Sequence, residues 1–264
     1  MIRTLLPAIS VAILCAMPAH AQNEAQPKEP LRVRVGAGAQ IVPTFPGSRD
    51  THVTPFPDFA IARGSKEFVF EAPDEPFGFT IVHAGGIEVG PSITFQGKRR
   101  RIDTGASMDE VGFSLEAGGF VQFWLAPRVR LRVEGRRGLS GHRAWVGSAG
   151  ADYVVRDGDK YVFSIGPRVN LSDSKYQAAY FGVNAGEALR TGLPVYRPKG
   201  GVHSVGAIAG ANYALAGRWG LVGYVRYDRL VGDAADSPFI ASYGSRDQTS
   251  GGVGLTYTFG RVRP

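Results

Sequence analysis

Phe113–Arg136, FSLEAGGFVQFWLAPRVRLRVEGR, is the stretch on which the fold turns. Phe113, Leu115, Ala117, Gly119, Val121, Phe123 and Leu125 occupy every second position, so an extended chain puts them on one face. After Ala126-Pro127 the alternation resumes, with Val129, Leu131 and Val133 set between Arg128, Arg130, Arg132, Glu134 and Arg136. Runs of about ten residues or more are what a tilted strand needs to cross a bilayer. Strands of soluble proteins more often stop at about 5–6 residues. On a lipid-facing surface near the midplane each arginine would cost about 2–4 kcal/mol, so Arg128, Arg130, Arg132 and Arg136 are expected to line the interior of a barrel.

The same period of two recurs at Val33–Ile41, Tyr161–Leu171, Val205–Leu215 and Val253–Phe259. Tight turns are expected at Arg63-Gly64-Ser65, His83-Ala84-Gly85, Ala126-Pro127, Arg156–Asp159 and Ala216-Gly217-Arg218. Asp157-Gly158 is the strongest of them, because glycine accepts the positive φ of a hairpin turn. Longer connections, at roughly 43–53, 72–77, 98–109, 138–143, 172–201 and 231–249, alternate with the tight ones. Short turns on one side and long loops on the other are the layout of an outer-membrane barrel. The expectation is a single all-β domain, an antiparallel transmembrane β-barrel over 31–260. Its twelve strands are placed at 31–42, 54–63, 66–72, 77–83, 86–97, 110–125, 128–137, 144–156, 160–171, 202–215, 219–231 and 250–260. The short pair at 66–72 and 77–83 leaves ten strands as the alternative count.

Composition agrees. The chain has 264 residues, 44% of them hydrophobic and 36 of them glycine, which suits many strands and turns better than a helical bundle. Arg3, the apolar run Leu5–Met17 and the small residues of Ala19-His20-Ala21 read as an export signal over 1–21. A loose tail at 22–30 follows. Cys15, the only cysteine, would leave with the signal, and with it any disulfide, thiolate nucleophile or Cys-ligated metal. No later stretch is apolar enough for a membrane-spanning helix.

A set of local motifs then narrows the field. In order they are Gly36-Ala37-Gly38, Pro43-Thr44-Phe45-Pro46-Gly47-Ser48, Pro55-Phe56-Pro57, Gly97–Arg101, Gly138-Leu139-Ser140-Gly141-His142-Arg143, Tyr180-Phe181-Gly182-Val183, Gly192–Pro198, Asp233-Ala234-Ala235-Asp236-Ser237-Pro238 and Gly254–Phe259. In this order and spacing the chain resembles the MipA/OmpV family of outer-membrane proteins over nearly its whole mature length. One departure is the extension at 261–264 beyond Phe259 and Gly260, since such barrels usually end on the aromatic of the last strand. The resemblance implies a scaffold of cell-wall growth that bridges a murein transglycosylase and a penicillin-binding protein. Other members of the family are surface antigens or adhesins. Most of the motif residues, Pro46, Gly47, Ser48, Gly141, His142, Tyr180, Phe181, Asp233, Asp236, Ser237 and Pro238, fall on the long connections. A scaffold for periplasmic enzymes should use the opposite end, so either the motif loops fold inward and shape the lumen, which is the expectation favoured, or the scaffold role is not shared by all members.

No catalytic, cofactor or metal constellation emerges. His52, His83, His142 and His203 show no metal-ligand spacing. Asp233, Asp236 and Ser237 read as turn chemistry, and His142 as a hydrogen-bonded loop residue. Gly138–Gly141 lacks the spacing of a nucleophile elbow. The formal net charge is +7, and lipopolysaccharide phosphates could pair with Lys98–Arg101. Export excludes nucleic acid as a partner. The chain is therefore read as an outer-membrane protein and not as an enzyme. Three functions remain: an envelope scaffold, an anion-preferring channel built on the arginine stripe, or an adhesin using the loops at 172–201 and 231–249. The stripe itself has two meanings at this point, a charged pore or an internal salt-bridge network.

Overall fold

The computed structural model describes residues 29–260. The expected signal, most of the tail and the extension at 261–264 lie outside them. Twelve strands form one antiparallel sheet: β1 Leu31–Pro43, β2 Thr51–Arg63, β3 Phe77–Gly78, β4 Val82–Ala84, β5 Ile87–Gln96, β6 Ser114–Ala126, β7 Val129–Gly138, β8 Trp145–Asp157, β9 Tyr161–Ser172, β10 Gly201–Ala214, β11 Trp219–Leu230 and β12 Asp247–Phe259. The order is β2-β1-β12-β11-β10-β9-β8-β7-β6-β5-β3, with β4 also on β5. First and last strands meet through Val33↔Phe259 to Ile41↔Gly251 and curl the sheet into a barrel. Where strands cross closely only glycine fits: a Cβ on Gly166 would meet the Ala151 carbonyl.

The wall is inverted relative to a soluble protein. Along β1, Leu31, Val35 and Ile41 are exposed while Arg32 between them is buried. Phe163, Ile165, Val225, Val253 and Leu255 are also exposed, whereas Arg130, Glu134, Asp152 and Arg168 are buried. Apolar side chains outside and charged ones inside suit a hydrocarbon surround. Aromatic residues gather at the end with the short turns, where Trp219 packs on Tyr257 at 5.0 Å and Tyr257 on Phe259 at 4.8 Å. Such rings favour the membrane–water boundary.

The region between β2 and β5 departs from the expected strands. No strand covers 66–72. After Arg63 the chain leaves the wall and crosses the lumen, burying Phe68, Phe70 and Ala72. Its period of two is that of an extended segment whose backbone is held by side chains instead of a ladder. The Phe68 N–H donates to Asp159 (2.9 Å), the Phe68 carbonyl accepts from Arg156 (3.2 Å) and the Phe70 carbonyl accepts from Arg130 (3.3 Å). Residues 72–77 are consequently the top of this internal segment and not an outer loop. The chain regains the wall as two short pieces, β3 and β4, in place of a strand over 77–83.

At the other end the long connections fold over the barrel mouth and contain a 3-10 turn at Arg101–Thr104 and four short α-helices: α1 Ser174–Phe181, α2 Ala185–Thr191, α3 Gly232–Ala235 and α4 Pro238–Tyr243. Each start has a local cause. Asp173 caps α1 by accepting from the Tyr176 N–H at 2.8 Å, and Asn184 with Glu187 forms a capping box on α2. Ser237 caps α4, with Pro238 in its first turn. Phe45, Met108, Tyr180, Phe181, Phe239 and Ile240 meet beneath these helices in the larger apolar cluster of the described residues. This cluster makes the loops a packed lid.

Candidate functional site

The interior is built from wall arginines and the acids of the crossing segment. Arg130 has no exposed side-chain surface and donates to Asp152 at 2.7 Å and to Glu75. Its guanidinium stands 4.5 Å from the centre of the Phe70 ring. Arg168 grips Asp74 through two bonds, 2.9 and 3.1 Å, and reaches Asp152 at 2.8 Å. Arg226 shares Asp74 at 3.1 Å and pairs with Asp228 on its own strand. Asp74 and Glu75 therefore tie β7, β9 and β11 to a segment that belongs to none of them. Removing one partner of such a buried pair costs about 3–5 kcal/mol, because the other charge is left in low dielectric.

A second network lies nearer the lid. Arg132 bonds to Glu134 (2.9 Å) and to Gln122 (2.8 Å), and its guanidinium is 3.7 Å from the Phe120 ring centre. Arg136 joins Glu134 at 2.6 Å and Glu116 at 2.9 Å. His142 closes the chain of contacts from the lid, with Nε2 3.0 Å from Glu116. The Ala144 N–H donates to His142 Nδ1 at 3.1 Å, so the proton sits on Nε2 and points at the carboxylate. His142 is thus a buried strut, and its role is to hold the 139–144 connection onto β6.

Of the predicted stripe, Arg130, Arg132 and Arg136 face the interior. Arg128 does not. It stands exposed in the β6–β7 turn beside a register shift between Trp124 and Ala126, reaching the Tyr153 hydroxyl at 3.4 Å. β7 begins only at Val129, so the alternation that turns Arg130 inward does not reach Arg128. Arg168 and Arg226 were missed, although strict alternation along β9 and β11 carries a signal for both. Nothing in the sequence marks Asp74 and Glu75, because their partners lie 94 and 55 residues away.

The motif residues assemble the lid. The Gly47 N–H donates to Gln248 at 3.0 Å, and Ser48 bridges to Gly244. Pro46 lines the chamber rim beside Gly47, and Gly141 makes its turn with a positive φ of 59°. The Ser237 hydroxyl donates to the Phe181 carbonyl at 2.6 Å, and the Tyr196 hydroxyl to the Asp233 carbonyl at 2.8 Å. Tyr180 and Phe181 are wholly buried. Of these motif residues only Gly141 and Asp236 stay exposed, Asp236 at 3.8 Å from Arg246.

Between lid and crossing segment lies a polar chamber of about 620 Å³, lined among others by Glu116, Arg136, His203, Arg226, Asp228 and Gln248. The Ser172 hydroxyl lies 3.0 Å from His203 Nδ1, but the ring packs on Tyr176 and Phe181, and no carboxylate orients it. Among the described residues no cluster of three His, Cys, Asp or Glu side chains is set to hold a metal ion, and no helix is long and apolar enough to cross a membrane.

A family model described as MltA-interacting protein MipA matches residues 35–259, from the third residue pair of the β1–β12 seam to its end. The chain belongs to the MipA family. Every motif quoted above lies inside the matched range, so the family's sequence pattern coincides with the barrel and the lid together. A comparison with curated protein sequences gave no match. Among solved structures, this MipA-family chain is similar to an outer-membrane channel of Pseudomonas putida F1 (11% identity, 90% of this chain and 98% of that one, TM-score 0.44). It is similar also to the NanC porin (12% identity, 86% and 98%, TM-score 0.37). A third is the outer-membrane protease OmpT of Escherichia coli (11% identity, 89% and 99%, TM-score 0.27). Likeness this distant carries nothing about activity. The fold, the inverted wall and the family place the protein in the outer membrane as a β-barrel.

Proposed function

We propose that this barrel is plugged, and that it serves as a scaffold or interaction protein of the cell envelope rather than as an anion channel or an enzyme. The observation that carries this reading is the pairing of the lumen. Arg130, Arg132, Arg168 and Arg226 each have a carboxylate partner, two of them supplied by the segment that crosses the barrel. An anion-selective pore needs cationic groups free to meet a passing ion, and it needs a clear path. The lid withdraws the other end.

The family description names MltA as what these proteins meet, which supports MltA, a murein transglycosylase by the family resemblance, as one partner here. A penicillin-binding protein is the second partner the family resemblance suggests. The motif residues at the outer end support this reading in their own way. They are consumed in building the lid, which leaves partner binding to the turns at the opposite end, where Arg128, Asp157 and Lys160 are exposed. Photocrosslinking in intact cells from Asp157, with Asp236 in parallel, tests the proposal. Recovery of a murein hydrolase or synthase from Asp157 is the expected result. Crosslinks only from Asp236, to lipopolysaccharide or an external ligand, would overturn it in favour of an adhesin.

A further inference from the structure

The wall has a seam. Among the described residues no ladder joins β2 to β3, β4 or β5. β3 and β4 cover the free edge of β5 only from Ile87 to Ile93, so its last residues, Thr94–Gln96, have no neighbour on that side. Open strand edges are costly in hydrocarbon, where each unpaired backbone group loses several kcal/mol. Such edges are tolerated when their donors are missing or when they line a cavity.

Both conditions hold here. Pro55 and Pro57 stand opposite Ala39 and Ala37 in the β1–β2 ladder. A proline fits an antiparallel ladder only where its nitrogen points away from the partner strand, so both nitrogens lie on the seam edge and offer no N–H. These prolines also block the addition of a further strand, whether from a peptide or a second copy of the chain. What the seam can admit is therefore a molecule that does not need to pair as a strand.

Two cavities open along the seam. The chamber reaches it between His52 and Thr54 of β2 and Thr94 and Phe95 of β5. A smaller cavity of about 220 Å³ reaches it lower down, between Phe59 and Phe77. The lips are apolar, with Val53, Phe59, Phe77 and Phe95 all more than half exposed. Behind them the chamber presents Arg136 with Glu116 and Arg226 with Asp228, charges already matched in pairs. Matched pairs with hydrogen-bonding neighbours suit an uncharged or zwitterionic polar head better than a bare anion. A volume of 620 Å³ corresponds to about 20 waters at ~30 Å³ each, room for the head of a single-chain amphiphile.

We infer that the β2–β5 seam is a lateral entrance from the outer leaflet, through which a single-chain amphiphile with a neutral or zwitterionic head places that head in the chamber. Its chain lies along Phe59, Phe77 and Phe95. The proposal is independent of any murein partner.

The test uses the full-length protein in phosphatidylcholine vesicles containing a lysophosphatidylcholine with a photoreactive acyl chain, and labelled peptides are read by mass spectrometry. Label is expected to concentrate in 51–60 and 68–80. It should fall at least tenfold in Thr54→Trp with Thr94→Trp, which narrows the mouth from both sides without touching an ion pair. Heat-shifted gel mobility shows whether the variant is folded, and Thr54→Trp alone serves if the pair is not. Label spread evenly over the apolar wall, including the groove at Phe163, Ala209 and Val225, overturns the proposal, as does label that a folded tryptophan variant leaves unchanged. Competition by unlabelled lysophosphatidylcholine supports the head assignment. Competition by dodecyl phosphate alone overturns it.

Discussion

Asp74 holds Arg168 by two parallel hydrogen bonds of 2.9 and 3.1 Å, a carboxylate from inside the barrel fixed to an arginine of its wall. With Glu75 on Arg130, this anchors the crossing segment at a height where its own backbone has no ladder to join. The segment and the wall neutralise each other, so each is costly without the other.

Asp74→Asn with Glu75→Gln is expected to release the segment and uncover Arg130, Arg168 and Arg226. In planar bilayers the wild type should give no steady conductance, and the double variant a pore with anion preference by reversal potential. A silent double variant that remains folded would mean that the segment is held by the burial of Phe68 and Phe70 and by their backbone hydrogen bonds with Asp159, Arg156 and Arg130.

The start of β7 separates two neighbouring arginines, with Arg128 in the turn before it and Arg130 within it. Arg128→Ser should leave thermal stability unchanged, since that side chain is exposed in a turn. Arg130→Met, by removing the closest partner of Glu75 and leaving Asp152 with Arg168 only, should cost about 3–5 kcal/mol. Heat-shifted gel mobility across a temperature series distinguishes them.

Ser237 joins two motif loops, through the Phe181 carbonyl and the start of α4. Ser237→Ala should weaken the lid by about 1 kcal/mol, the usual worth of a cap. Limited proteolysis should then cut within 231–246 faster than in the wild type while the strands stay protected.

Gly47 sits at φ +90°, and a Cβ there would meet Ile240 beneath the lid. Gly47→Ala should destabilise the lid through both backbone strain and overpacking, by about 1–3 kcal/mol. Gly85→Ala is the control, because no atom lies near its Cβ direction and only the positive φ is at stake. Proteolysis of the lid, measured for both, should respond far more to the first.

The lid carries a pH-dependent clasp. Asn184 donates to Asp109 at 2.9 Å and Arg190 bonds its other oxygen, which together hold its carboxyl below the usual range. A depressed folded value means the clasp contributes fully above the ordinary pKa of about 3.9 and is lost as pH falls through the folded value. Proteolytic sensitivity of 97–113 by an acid-active protease should rise below about pH 4 in the wild type. Asp109→Asn should be equally sensitive on either side of that pH.

Alternation in Phe113–Arg136 was enough to establish an antiparallel membrane barrel, because a strand between lipid and lumen must repeat every two residues whatever surrounds it. The same local rule placed Arg130, Arg132 and Arg136 indoors. It failed at Arg128, which stands in the turn before the strand begins, and at Phe68 and Phe70, where alternation describes an extended chain without saying what bonds its backbone. The short helices of the lid were illegible because four to eight residues hold no helical period, and their caps act only once Asp173, Asn184 and Ser237 are in place. Only the tertiary structure decided that the barrel is filled. Asp74 and Glu75 become partners of Arg168 and Arg130 when the curled sheet brings β7 and β9 around the segment, and long-range charge pairing leaves no periodic trace in a single chain.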